Sequence, residues 1–491
     1  MGSLKYDNQS MDRLLLGMAL PIMLKFLIGE LYAMVDTYFV GTYLGHGALA
    51  ALSLSFPMQR LLFALAVLVG VGTSTSLSRN LGRKEYDQAS RTIVSGGFLL
   101  LCIQIPIALV TALYPQQIMA LFGAQGNTLI GAAGYLRYTA IGSVFLALST
   151  FLSYVLLSLG NTKFAMVSMI LGALGNALFD LVFLGVLRMD VASAGLASMM
   201  SQTIAGVFIL ISFLTFLKKR EIKLKLHFSM KLFPLLFLGG LAAFVVEVED
   251  SIVMTVLNKL LLSSVGEEGV IILGVVTKLS MFLFITLFGV ASAMQPIAAY
   301  YYGAKNKKKL KELLHKTLIY SFGFTFVIWL LFQFKAESFV AIFLKDPVYV
   351  EKAAKTLRIV LGLFPLTSIY YLGIFYHQAK GDVKRALIES LLRQILILLP
   401  LALILSKGLG LGAMGVWIAF PLTDGLASLF AFLGFKSQGL LTVLLRGEKS
   451  ADKKRLPAQK GLIPVFEAIA SYERIEFSKK GMKTIESLAP R

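Results

Sequence analysis

Leu31-Tyr32-Ala33-Met34-Val35-Asp36-Thr37-Tyr38-Phe39-Val40-Gly41 sets one carboxylate inside an apolar segment that runs from about Leu14 to Val40. A segment of that length crosses a bilayer as a helix, because hydrocarbon leaves the backbone no partners but its own. A charged carboxylate at the centre of such a helix costs about 2.5–3.5 kcal/mol on insertion scales, so it faces a cavity or a partner rather than lipid. Asp36 therefore reads as a proton or cation site. The structural alternative is a side chain that reaches the interface from near the helix end.

Outward from this stretch the same composition recurs. The chain has 491 residues, 57% of them hydrophobic, and a mean hydropathy of +0.77. Apolar blocks stand at about 14–40, 48–78, 92–115, 129–158, 162–187, 191–217, 231–263, 269–302, 316–334, 353–378, 386–406 and 411–436. Twelve blocks of this length predict an all-α polytopic membrane protein. The net charge of +20 would suit nucleic acid, but its placement points elsewhere. With an inside N-terminus, alternate loops on one side carry twenty basic residues, among them Arg79, Arg83, Lys84 and the Lys305–Lys316 run; the opposite loops carry five. That asymmetry predicts both termini in the cytoplasm and a multi-pass protein of the cell (inner) membrane. The basic excess then meets anionic lipid headgroups, and no nucleic-acid partner is needed. One cysteine, Cys102, allows no intrachain disulfide. The first block lacks a small-residue cleavage site, so no cleaved signal is expected.

The chain also repeats. From Gly45, a shift of 221 residues aligns the first half with the second for over 150 positions. Gly82-Arg83-Lys84 falls on Gly303-Ala304-Lys305, Arg137 on Arg358, and Gly160-Asn161-Thr162-Lys163 on Gly381-Asp382-Val383-Lys384. Six spans per half with the same in/out sense form a parallel repeat, two pseudo-symmetric six-helix bundles around a central cavity. The expected organisation is a cytoplasmic N-terminus (1–13), a first lobe (14–217), a basic linker (218–230), a second lobe (231–438) and a basic cytoplasmic tail (439–491). Such an arrangement describes a secondary transporter. No Walker loop, HExxH, GxSxG or Cys/His cluster occurs, so neither an ATP-driven pump nor an enzyme is expected, and no cofactor.

In the fifth block, Asn176 and Asp180 are four residues apart and share a helical face. A carbonyl and a carboxylate so placed can hold a small hard cation or share a proton; an interhelical hydrogen bond is the plainer reading. A second intramembrane acid beside Asp36 tilts the balance toward function. Together the Val35-Asp36-Thr37 motif ending in Phe39-Val40-Gly41, the Leu49-Ala50-Ala51-Leu52 motif and the Asn176/Asp180 pair resemble the multidrug and toxic compound extrusion (MATE) family. Gln295-Pro296-Ile297-Ala298-Ala299-Tyr300-Tyr301-Tyr302-Gly303 is similar to that family's eighth-helix motif, while Ser390–Gln394 and Gly415–Pro421 resemble its last two helices. The resemblance covers about residues 12–440. It implies an antiporter that exports organic cations or amphipathic drugs in exchange for H⁺ or Na⁺. It further implies a coupling site in the first lobe at Asp36, Asn176 and Asp180, where a Na⁺ would sit. Ser198 stands where the family often has a threonine.

The seventh block departs from that pattern with three acids, Glu247, Glu249 and Asp250. Glu247, Asp250, Met254 and Asn258 share one face and Glu249 points away; Glu247, Asp250 and Asn258 are candidates for a second acidic site. Arg60 or Lys278 is the expected counter-ion for at least one acid, the alternative being a carboxyl that burial keeps protonated. Lys25, Glu30, Asp424 and a Glu389–Arg393 i,i+4 pair read as structural charges. Tyr32, Tyr38, Tyr138, Tyr154, Tyr370, Tyr371 and Tyr376 include candidates for holding cations on their ring faces. A stretch at 463–477 in the tail could lie on the inner leaflet as an amphipathic helix. The expected partners are small amphipathic substrates and the bilayer, with the chain a monomer. A flippase for a lipid-linked oligosaccharide or lipid precursor is the alternative function, and a non-transporting receptor or scaffold a more distant one.

Overall fold

The computed structural model describes residues 9–222, 224, 227–438, 440 and 444; the 463–477 stretch lies outside them. The helices are α1 (Met11–Leu44), α2 (His46–Gly82), α3 (Tyr86–Leu113), α4 (Pro115–Leu121), α5 (Gly126–Ser158), α6 (Lys163–Asp180), α7 (Val191–Lys219) and α8 (Phe233–Val265). They continue with α9 (Glu267–Gly303), α10 (Lys307–Val340), α11 (Pro347–Val360), α12 (Thr367–Lys380), α13 (Val383–Leu391), α14 (Leu399–Leu403) and α15 (Gly412–Ser437). Among the described residues there is no strand. Among the described residues, twelve segments are long and apolar enough to cross a membrane, and each overlaps one predicted block.

Two spans are broken in ways that hydropathy does not register. The tenth divides into α11 and α12, joined through Gly362 and a single tight turn at Phe364–Leu366 that contains Pro365. The eleventh carries widened π-helical turns at Leu392–Leu398 and Ile404–Gly408. A third π turn, Leu181–Val186, begins directly after Asp180. Turns of this kind expose or redirect side chains and gather at functional sites.

The repeat extends to the backbone. Lys84 and Lys305, 221 residues apart, turn with positive φ of 63° and 54°, as do Gly160 and Gly381 with 77° and 81°. Short α4 follows a break at Tyr114 (φ −119°, ψ 43°). Its counterpart is the last turn of α10, set off by a break at Lys335 (φ −118°, ψ 26°). Two bundles with matching irregularities pack against each other through α1, α2, α8 and α9.

They do so at one end. Residues 66–79 of α2 and 289–301 of α9 are buried without interruption, so these half-helices have no lipid-facing side. One apolar cluster unites both halves here, from Leu15, Leu77 and Val155 to Leu236, Val290 and Tyr301. At the other end the core divides: Ala51, Met58 and Leu62 belong to a first-half cluster, Val253, Leu257 and Leu273 to a second-half one. Backbones touch along the joined end. A Cβ on Gly240 would stand 1.7 Å from the Leu68 carbonyl oxygen, and one on Gly72 1.8 Å from that of Leu236. The contact is reciprocal where Gly82 meets Tyr300 and Gly303 meets Arg79, since both pairs are related by the same 221-residue shift. Arg79 donates across the junction to the Ala379 carbonyl at 3.0 Å, and Lys316 on α10 pairs with Asp12 on α1. The joined end is the one that carries Arg79, Arg83, Lys84 and Lys305.

Candidate functional site

In the first half, four helices bring polar side chains to one point. Asp36 from α1, Asn176 and Asp180 from α6 and Ser198 from α7 are all buried, each at 6% exposure or less. The four-residue spacing stacks Asn176 under Asp180 as expected, and α1 passes so that the Asp36 and Asp180 carboxyls lie close enough to act on one another. Tyr135 on α5 donates to Asp36 Oδ2 at 3.4 Å. Ser198 Oγ receives the Tyr32 hydroxyl at 3.0 Å and Asn176 Nδ2 at 3.4 Å.

This pattern has a consequence for charge. Asn176 directs its amide N–H to Ser198, which turns its carbonyl oxygen the other way. Asp36 Oδ1, Asn176 Oδ1 and both oxygens of Asp180 are buried and meet no donor among the described residues. Buried acceptors are almost always satisfied, and an unsatisfied one costs about 1–3 kcal/mol, more when charged. Four together form a pocket whose oxygens can take a proton on a carboxyl or a cation among them. Ser198, with two donors on its oxygen, positions Tyr32 and Asn176 in this geometry. Tyr135 was not singled out by sequence, because a tyrosine in an apolar run carries no spacing signal of its own; only the fold sets it beside Asp36.

Two acids of α8, Glu247 and Asp250, lie elsewhere, facing the first half's Arg60. Arg60 of α2 reaches Glu247 at 3.1 Å and Asp250 at 3.9 Å, so Arg60 rather than Lys278 is the ion-pairing partner. Gln394 donates to Asp250 Oδ1 at 2.6 Å. Glu249 faces the interior of the second half, 4% exposed, with Oε2 lacking a donor. Asn258, two turns farther along α8, is half-buried and takes no part in these ion pairs.

The Glu389–Arg393 pair does not form. Arg393 instead binds Asp424 on α15 through Nε at 2.9 Å and a second guanidinium nitrogen at 2.8 Å. Glu389 meets His377 Nδ1 at 2.8 Å. The i,i+4 rule assumes α-helical rise and rotation, and α13 opens into its π turn at Leu392, between the two residues. His377 was absent from the sequence reading, since a lone histidine near a helix end signals nothing by itself.

An all-helical, twelve-span bundle built from two like halves, with a buried charged pocket inside one half, defines a polytopic membrane transporter rather than an enzyme. The MatE family model matches the chain twice, at residues 21–182 and 243–404. The two matches are of equal length and 222 residues apart, and the chain belongs to the MatE family. The multidrug export protein MepA of Staphylococcus aureus (strain N315) is 27% identical over 456 residues, covering 92% of this chain and 98% of that protein. Among solved structures, the MATE multidrug transporter DinF-BH is 28% identical with a TM-score of 0.79, over 90% of this chain and 100% of that one. A MATE family transporter in its outward-facing conformation has a TM-score of 0.82 at 23% identity, over 90% of this chain and 99% of that one, and shares the fold.

Proposed function

We propose that this chain is a cation-coupled exporter of amphipathic organic cations, an antiporter that returns H⁺ or Na⁺ for each cargo molecule expelled. The observation that carries the reading is the buried pocket of Asp36, Asn176 and Asp180, with four oxygens that meet no donor. Family membership and the multidrug export of its relatives supply the cargo class; nothing among them favours the lipid-precursor flippase. In this reading the basic end faces the cytoplasm of the inner membrane, by the distribution of positive charge. The halves are then closed toward the cytoplasm and parted toward the outside. One chain holds both halves, so a monomer suffices. Glu247 and Asp250, with Asn258 above them on α8, face the space between the halves and serve cargo in this scheme, while coupling belongs to the first half.

The test is transport in proteoliposomes with H⁺ and Na⁺ gradients imposed separately and ethidium as cargo. One gradient should drive ethidium movement in the parent protein and fail to do so in Asp36→Asn. Ethidium movement that ignores both gradients would remove the antiport reading.

A further inference from the structure

Two arginines within the membrane-spanning helices face carboxylates, Arg393 buried and Arg60 partly exposed, and they are held very differently. Arg393 is locked: two of its nitrogens converge on Asp424 Oδ1 at 2.9 and 2.8 Å, the side chains are 7% and 1% exposed, and both partners belong to one half. Arg60 is not. Its guanidinium lies 3.1 Å from Glu247 Oε2, yet that oxygen has no properly directed hydrogen bond. It is 3.9 Å from Asp250, and its one directed contact to α8 is a long 3.4 Å bond from Nε to the Glu247 backbone carbonyl. The side chains of Arg60, Glu247 and Asp250 are 29%, 23% and 47% exposed. Neither carboxylate makes the two-pronged contact that normally fixes an arginine.

The place of this loose pair matters. Counting from the tight approach of Leu68 to Gly240 between the halves, Arg60 lies eight residues along α2 and Glu247 seven along α8. That is two helical turns, on the side where the common core gives way to separate clusters. The pair therefore sits where the common core ends and the halves keep separate clusters. Glu30 from α1 lies in the field of Arg60 from α2 and of Glu247 and Asp250 from α8, and Lys278 from α9 acts on Glu30. Three acids face two bases. The Phe63 ring lies 5.9 Å from the Arg60 guanidinium and offers a π face to a cation in the same position. Glu249, nine-tenths buried with a free Oε2, stands behind Gln394, which holds Asp250.

We infer that the Arg60 guanidinium is a tethered stand-in for cargo, occupying between Glu247 and Asp250 the place that the cationic head of a transported molecule takes when Arg60 swings aside. Arg60 is thus the residue that sets charge selectivity. A monocation replaces it with no net change of charge at the carboxylates, whereas a neutral molecule of the same shape would leave two acids without a counter-ion. The loose geometry makes the exchange inexpensive, and the tether restores the pair once cargo leaves.

This inference rests on the export reading, and the two are separable by experiment. Ethidium and an uncharged dye, Nile red, are titrated by fluorescence anisotropy into the purified full chain, beside ethidium transport by the same preparations. Arg60→Gln removes the competitor and should tighten ethidium about tenfold, the scale of one charge contact, with Nile red unmoved. Arg60→Lys keeps the charge and should bind both dyes like the parent. Glu247→Gln and Asp250→Asn should each weaken ethidium alone, and Arg60→Gln combined with Glu247→Gln should return toward the parent value. Unchanged or weaker ethidium binding in Arg60→Gln, or equal shifts for both dyes, overturns the role of Arg60 while leaving export intact if the parent still transports. A parent protein that neither binds nor moves ethidium overturns both. Should Arg60→Gln fail to fold, the two acid variants decide: insensitivity of ethidium to either overturns the inference.

Discussion

Asp36 and Ser198 illustrate two ways a single polar residue can serve a buried site. Asp36 has one oxygen on Tyr135 and one without a donor, and in the proposed coupling its charge is the property the pocket draws on. Asp36→Asn keeps the shape and removes the charge; gradient-driven efflux should be lost while surface expression, checked by immunoblot of membranes, stays at the parent level. Ser198 acts through others. Ser198→Ala takes the acceptor from Tyr32 and Asn176 and frees the Asn176 amide to rotate. Each lost hydrogen bond is worth about 1 kcal/mol, so coupling-ion affinity should fall roughly tenfold rather than vanish. An affinity equal to the parent's by isothermal titration would show that Ser198 does not hold Asn176 in place.

At the scale of elements, the spans were legible and their joints were not. Apolar length identifies each crossing, because a bilayer imposes one requirement on every segment. The same rule is blind to the break between α11 and α12, where Gly362 and Pro365 interrupt the helix inside an unbroken apolar run. It is equally blind to the π turns that move Arg393 away from Glu389. Of the first-half pocket, Asp36, Asn176 and Asp180 stand out in the chain and Ser198 follows from the family resemblance, but Tyr135 could not be read, since its meeting with Asp36 depends on how α5 crosses α1. The junction of α2 with α8 is another joint hidden from pattern. Gly240 reads as one more membrane glycine, yet a Cβ there meets the Leu68 carbonyl oxygen at 1.7 Å, a backbone atom that cannot step aside. Gly240→Ala should cost about 1–3 kcal/mol in the closed arrangement through overpacking, and so favour opening at the basic end. The readout is a cysteine at buried Ser76 in a Cys102→Ser background: unreactive to maleimide in the parent, reactive when Gly240 is replaced. Equal protection in both would mean that the junction absorbs the methyl group without parting.

For the whole molecule, orientation and coupling remain to be measured, and each follows from charge. In the proposed orientation, twenty basic residues against five set the joined end on the cytoplasmic side. A cysteine at Lys308 should then resist an impermeant reagent in intact cells and react after permeabilisation; labelling from outside would invert the topology and, with it, the direction in which the opening faces. The coupling chemistry turns on Asp36 and Asp180 sharing one poorly hydrated pocket. Two like charges there repel, so at least one must carry a proton or share a bound cation. Both species act on the same oxygens, which makes them competitors. If the pocket takes Na⁺, its affinity should drop as pH falls, because protonation removes the charge that attracts the ion; a proton-only pocket would titrate with no dependence on Na⁺. The two acids should also behave as one unit. Asp36→Asn or Asp180→Asn alone should remove most of the ion binding that the double variant removes, a coupling of the kind contacting residues show. Additive losses, each variant taking its own share, would place the two carboxylates in separate sites and dissolve the shared pocket despite their proximity.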